Sequence, residues 1–230
     1  MNIFGNIVCE VTRFMKILLS PAKTMNLEAP HTSQVPLFQK DATRLRRSLS
    51  KMSIKSIQDF YNVSKDTATL TKSYYLNNST YIAIELFSGI AFKTFHQYEA
   101  PHTLDDLYIL SGLYGIIQAQ DGISPYRLDL THPYKGSLIQ FWKEKIYSYL
   151  KDEDTIISCM SKEYEALLDQ RLLVTYVSIY KNAKKAPSVD AKKVRGAFAN
   201  YLLRHKHPEG FVYDGYHYIK KDGNTIFIEK

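Results

Sequence analysis

The sequence predicts a single compact α+β domain of mixed α/β character, with a helix-hairpin-helix-like element and a positively charged cleft. Three observations lead there. Short apolar runs rich in β-branched and aromatic residues alternate with stretches whose apolar residues recur at helical spacing. The 230 residues contain no internal repeat and no low-complexity linker, and that length supports one hydrophobic core. Cations concentrate in two stretches on either side of a glycine-rich segment, LSGLYGIIQAQDGISPYRL, which runs from Leu110 to Leu128.

Lys16-Ile-Leu-Leu19 is a short apolar run ending in Ser20-Pro21, as expected of a buried strand that leads into a loop. Leu37 to Tyr75 reads as helical, with apolar residues at 45, 49, 52, 54, 57, 60 and 61. Tyr81 to Phe95 is apolar with one glycine and reads as core. Thr103 to Ile109 starts like a helix, with Thr103 as N-cap and Asp106 three residues on. Gly112 and Gly115 then break it, because glycine allows positive φ and close backbone approach. Ser137 to Leu150 has helical spacing in Ile139, Trp142, Ile146 and Tyr149, with Trp142 as a core anchor. Thr155 to Cys159 is a predicted strand, Ser161 to Leu168 a short capped helix carrying Glu163 and Tyr164, and Leu172 to Tyr180 a strand rich in Val and Tyr. Ser188 caps a helix to about His205, with Val194, Phe198, Tyr201 and Leu202 inward and Lys192, Lys193 and Arg195 outward. Phe211 to Ile219 and Thr225 to Ile228 flank Asp222-Gly223-Asn224, a hairpin signal.

Several classes are excluded by what the chain lacks. No apolar run reaches the roughly 18 residues of a membrane span. Cys9 and Cys159 alone make neither a disulfide framework nor a cysteine zinc site, so the expected location is cytoplasmic. There is no phosphate-binding G-x-x-x-x-G-K-[ST] loop, no G-x-G-x-x-G and no H-E-x-x-H. His205 and His207 lie in a basic segment where solvated histidines are commoner than metal ligands. No metal, no cofactor and no protein partner is assigned. The net charge of +7 favours an anionic partner, and its location is informative. From Lys181 to Lys206 eight Lys or Arg stand against Asp190 alone, which matches the whole excess. A second cluster comprises Lys40, Arg44, Arg46, Arg47, Lys51 and Lys55, where a solvated helix face is the ordinary explanation.

The blocks Leu110-Ser-Gly-Leu-Tyr-Gly115, Asp121 and Pro125-Tyr-Arg-Leu128 resemble the signature of the YaaA family of bacterial peroxide-stress proteins. Ser20-Pro-Ala-Lys-Thr24, Gln140-Phe-Trp142, Ser161-x-Glu163-Tyr164 and Ala191-Lys-Lys-Val-Arg-Gly196 follow the family order, and the likeness covers about Met15 to the C-terminus. Residues 1–14 lie upstream of the methionine where family members begin. They are read as an extension or leader without a role, and the domain as 15–230. The chain departs from the family at Ile90 and Phe92, which stand near the family's acidic residue and tyrosine. The resemblance implies protection from hydrogen peroxide by lowering available iron, together with DNA binding through a helix-hairpin-helix-like element. With no visible metal site, the iron effect is read as indirect.

For the site, the expectation is that distant blocks converge on one electropositive trough. Its DNA-binding members are Ser20, Lys23, Thr24, Gly112, Tyr114, Gly115, Tyr126, Arg127, Lys192, Lys193 and Arg195. Lysine and arginine neutralise phosphates, tyrosines offer faces to unstacked bases, and consecutive glycine-turn amides suit a phosphate. Such contacts grip the DNA backbone, so recognition would follow structure more than sequence. The plain alternative for Gly-x-x-Gly is a tight turn inside a core. A second reading is an enzyme that processes a nucleobase or DNA lesion. There Lys23 would form a Schiff base, with Asp121, Glu163 or Asp129 as acid/base. The plain alternatives are a solvated loop lysine, a turn capped by Asp121 and a Glu163 ion pair.

Overall fold

Met15–Leu19 (β1) is almost wholly buried because it lies mid-sheet, with parallel neighbours on both sides. The computed structural model describes residues 15–131, 134 and 136–230, so the extension expected over 1–14 lies outside the described residues.

The helical pattern of Leu37–Tyr75 is divided into three: α1 (Gln39–Leu49), α2 (Ile54–Tyr61) and α3 (Lys65–Leu76). Short polar residues make the divisions. Ser53 caps α2 by accepting from the Ser56 amide, Asn62 ends it in the left-handed region at φ 49°, and Ser64 caps α3 by accepting from the Thr67 amide. The basic cluster is also divided. Arg46 turns inward and donates to the carbonyls of Pro125 at 2.6 Å, Tyr74 at 2.7 Å and Asn77, while Arg44, Arg47 and Lys51 remain exposed. Arg46 is therefore a clamp between α1, the end of α3 and a distant loop.

β2 (Tyr81–Ile82), α4 (Ala83–Leu86) and α5 (Ile90–Phe95) follow. The helix expected to begin at Thr103 is a strand, which corrects the helix-hairpin-helix expectation. Thr103 Oγ1 accepts from the Asp105 amide, but the turn closes at once and the chain enters β3 (Leu107–Ser111) beside β1. All five residues of β3 are buried, so LYILS suits a sheet centre better than a one-sided helix. The two glycines then turn the chain into β4 (Gly115–Gln118), antiparallel to β3, and β5 (Gly122–Ile123) pairs with β2.

Helix α6 (Leu138–Leu150) buries Leu138, Trp142, Ile146 and Leu150, one position off the face expected from Ile139 and Tyr149. Trp142 is the core anchor foreseen, fully enclosed and donating through Nε1 to the Gly112 carbonyl at 2.9 Å. The chain continues through β6 (Thr155–Ser158), α7 (Lys162–Glu165), β7 (Val174–Lys181), β8 (Lys184–Lys185) and α8 (Ser188–His205). It ends in β9 (Val212–Tyr213), β10 (Tyr216–Asp222) and β11 (Thr225–Glu229), with the predicted tight turn at Gly223.

Among the described residues the main sheet runs β4-β3-β1-β6-β7-β11-β10-β9, with β8 attached to β7. The central strands β3, β1, β6, β7 and β11 are parallel. Helix α8 packs on α5 and β1. At Gly196 the contact is backbone to backbone, since a Cβ there would stand 1.9 Å from the Ala91 carbonyl oxygen. Among the described residues no helix is long and apolar enough to cross a membrane.

Candidate functional site

From β1 the chain passes to β3 on one side, and from β6 it passes to β7 on the other. Adjacent parallel strands whose onward connections diverge leave a crevice at their C-terminal ends, where ligands of open α/β sheets bind. Here that crevice is a cleft of about 490 Å³. Ser20 and Ser161 join its two sides just beyond β1 and β6. The Ser161 amide donates to Ser20 Oγ at 2.9 Å, and the two hydroxyls are 3.3 Å apart.

Three further segments wall the cleft. The loop carrying Lys23 and Thr24 is pinned by the Ser88 amide, which donates to the Thr24 carbonyl at 3.0 Å, and Gly89 leaves space for Ala22 to approach. The first half of α8 supplies Lys192 and Arg195. The loop Tyr126–Asp129 is fixed from beneath. Tyr61 and Tyr75 both donate to the Arg127 carbonyl at 2.5 Å, Arg46 holds the Pro125 carbonyl, and the buried Tyr126 hydroxyl shares a 2.6 Å hydrogen bond with Ser111. Burial raises the Tyr61, Tyr75 and Tyr126 hydroxyls well above the ordinary phenol range, so all three stay protonated donors.

Among the described residues five basic side chains line the cleft (Lys23, Lys93, Arg127, Lys192 and Arg195), with Asp129 and Glu163 as the acidic ones. Lys23 Nζ lies 3.1 Å from Asp129 Oδ2, and Arg127 Nε is 4.0 Å from the same oxygen. The Lys23 side chain is 63 % exposed, so it lacks the burial that activates an amine nucleophile. Arg127 lies over the Tyr61 ring at 5.1 Å. Burial lowers the pKa of Arg195, opposed by nearby Cys159 and Glu165. The Cys159 thiol is pushed up to about 12 by burial, which keeps it protonated and unreactive.

Ser20, Lys23, Thr24, Tyr126, Arg127, Glu163, Lys192 and Arg195 thus come together as the sequence suggests, although Arg195 is half-buried instead of outward. Gly112, Tyr114, Gly115, Asp121 and Lys193 do not line the cleft. The plain alternative holds for the glycine turn. It is buried, and Ser111 Oγ accepts from the amides of Leu113 at 3.1 Å and Tyr114 at 3.0 Å, so those donors are spent. Tyr114 is enclosed and its hydroxyl accepts from the Ser124 amide. Asp121 caps the turn after β4, accepting from the Gln118 amide at 2.8 Å in a separate hollow beside Tyr108 and Tyr149. Lys193 is half-buried beside Lys192, and the Asp190 carboxylate near it is held by Lys181 and Tyr216. The glycines still shape the cleft: Gly112 admits the Leu128 carbonyl, and Gly115, at φ +74°, lies under Trp142. Lys93 joins the cleft without any mark in the sequence, because nothing in the sequence shows that α5 faces α8.

Comparison with known proteins follows this geometry. A profile for the peroxide stress protein YaaA family matches residues 15–221. A UPF0246 protein of Ligilactobacillus salivarius is 29% identical over 249 residues, covering 94% of this chain and 100% of that protein. One from Lachnoclostridium phytofermentans is 31% identical over 84% of each chain, and one from Desulfitobacterium hafniense is 32% identical over 69% of each.

Proposed function

The chain belongs to the peroxide stress protein YaaA family, and from that premise we propose that it binds DNA in the peroxide response through the cleft at the ends of β1 and β6. The observation that supports this most is the meeting of five cations from separate segments in one hollow, against two carboxylates. Such a surface attracts a polyanion by releasing its counterions. The hairpin glycines have no part in this reading, and the grip comes from side chains. Cytoplasmic residence fits a DNA partner, and limitation of iron-dependent damage remains an indirect consequence on this reading.

The test is fluorescence anisotropy with labelled single-stranded and duplex DNA across a salt series. Binding that weakens linearly on a log–log plot against salt, and is lost when Lys23, Lys192 and Arg195 are replaced together, supports the reading. Absence of binding to either DNA at low salt rejects it. Iron limitation is read separately, as a higher level of chelatable iron in cells lacking the protein after peroxide treatment.

The presence of Lys23, Asp129 and Glu163 in one cleft supports a second reading, an enzyme acting on a damaged strand, in which the bound strand would have to desolvate Lys23 and draw it from Asp129. Borohydride trapping on abasic and bubble DNA decides it. A covalent adduct that disappears in Lys23→Ala supports lesion chemistry, and no adduct with no strand product leaves binding alone.

A further inference from the structure

The cations of the cleft are not equally engaged. Lys23 has Asp129 as a close partner, whereas Lys192 is exposed to solvent. Arg195 is different. Its Nε is buried and makes no hydrogen bond, and none of its nitrogens lies within 4 Å of a carboxylate oxygen among the described residues. Glu165 acts on Arg195 from beyond ion-pair distance, and its Oε1 accepts from the Ser158 hydroxyl at 3.2 Å. Arg127 also has a buried Nε without a hydrogen bond, with Asp129 at 4.0 Å as a loose partner. A buried cation without a counter-charge is costly, and a guanidinium offers paired donors that fit phosphate oxygens.

We propose that Arg195 and Arg127 hold the phosphate of one nucleotide, so that the cleft takes nucleotides singly. The proposal rests on the reading of this cleft as the nucleic-acid contact, and names what enters it. At about 490 Å³ the cleft has the size of a small-molecule pocket, and a base-paired duplex does not fit inside it. Ile90, Ala91 and Phe92 give it an apolar wall against which an unstacked base can lie, and Ser20, Ser161 and Glu163 offer polar groups to a sugar or base edge. Ile90 and Phe92, where the resemblance places an acid and a tyrosine, make that wall more apolar in this chain. The nucleotide is either extruded from a DNA strand or free, and both present the same phosphate.

The experiment compares wild type, Arg195→Met and Arg195→Lys, each first checked for a native circular dichroism spectrum. The probes are 2′-deoxyadenosine 5′-monophosphate, inorganic phosphate, and two duplexes of one sequence, one fully paired and one with a central unpaired bubble. Expected are a rise in the wild-type melting temperature with the mononucleotide and tighter binding of the bubble duplex. Arg195→Met should weaken both by about tenfold, and Arg195→Lys should restore only part, since it keeps the charge and loses the fork. Mononucleotide binding that depends on Arg195 without any DNA binding supports a free nucleotide and rejects the DNA reading. DNA binding that ignores the bubble and is unchanged in both variants overturns the phosphate site and leaves the DNA reading standing. No response of wild type to mononucleotide, phosphate or bubble overturns the proposal whatever the variants do.

Discussion

The Leu128 carbonyl oxygen stands 2.3 Å from where a Cβ on Gly112 would lie, so the glycine turn and the Pro125–Leu128 segment are in backbone contact. These two parts of one glycine-rich stretch act together, but not as two contacts to a ligand. The turn is a seat, and the segment resting on it carries Tyr126 and Arg127 into the cleft.

Gly112→Ala should therefore destabilise the protein by about 1–3 kcal/mol, the ordinary cost of forcing extra atoms into a packed core. Because the displaced part is the loop of Arg127, ligand binding should weaken as well. Urea denaturation followed by the fluorescence of Trp142, the single tryptophan, measures the first effect. An unchanged midpoint would mean that the loop can move aside freely.

Arg46→Met keeps the aliphatic packing of α1 but leaves the carbonyls of Pro125 and Asn77 without their donor, and that of Tyr74 with the Asn77 amide at 3.2 Å. Part-buried acceptors deprived of a charged donor cost about 1–3 kcal/mol each, so with two of them orphaned the expected loss is about 2 kcal/mol or more. In contrast, Arg47→Met on the exposed side of the same helix should leave the urea midpoint within error of wild type. Equal effects of the two substitutions would remove the clamp from consideration.

Burial raises the Asp121 carboxyl above its ordinary value of 3.8, partly offset by the Gln118 amide. In the unfolded chain the group loses its proton first as pH rises, so the folded state binds more protons in that window and stability falls across it. Asp121→Asn cannot ionise and escapes this fall. Its stability relative to wild type should thus increase as pH rises through the ordinary value of 3.8 and level off once the folded carboxyl has ionised as well. A relative stability that is flat with pH would mean that the carboxyl titrates alike in both states.

Lys192 lines the cleft and Lys193 does not, although they are neighbours in sequence. Lys192→Ala should weaken DNA binding almost equally for all sequences and lower the salt slope by about 0.7 to 0.9. Lys193→Ala, outside the cleft lining, should change the slope by much less. Equal slopes for the two variants would mean that DNA contacts the outer face of α8 and not the cleft.

The sequence by itself determined the mixed α and β class, the strand at Lys16–Leu19, the helix from Ser188 to about His205, the hairpin at Gly223 and the burial of Trp142. Those features are written in local periodicity and turn residues, which need no distant partner, although Ser188 is the first residue of its helix and Pro187, not Ser188, stands at the N-cap. It also marked Lys23, Arg127, Lys192 and Arg195 as groups that belong together. Tertiary structure alone decided that LYILS is a strand, since a short, mostly apolar run is compatible with either form until β1 lies beside it. It alone turned Arg46 inward and Lys193 away, and gave Ser111 the amides of the glycine turn. A side chain's type is a local fact, but which face it occupies depends on what packs against its element, and that is settled only by contacts far apart in the chain.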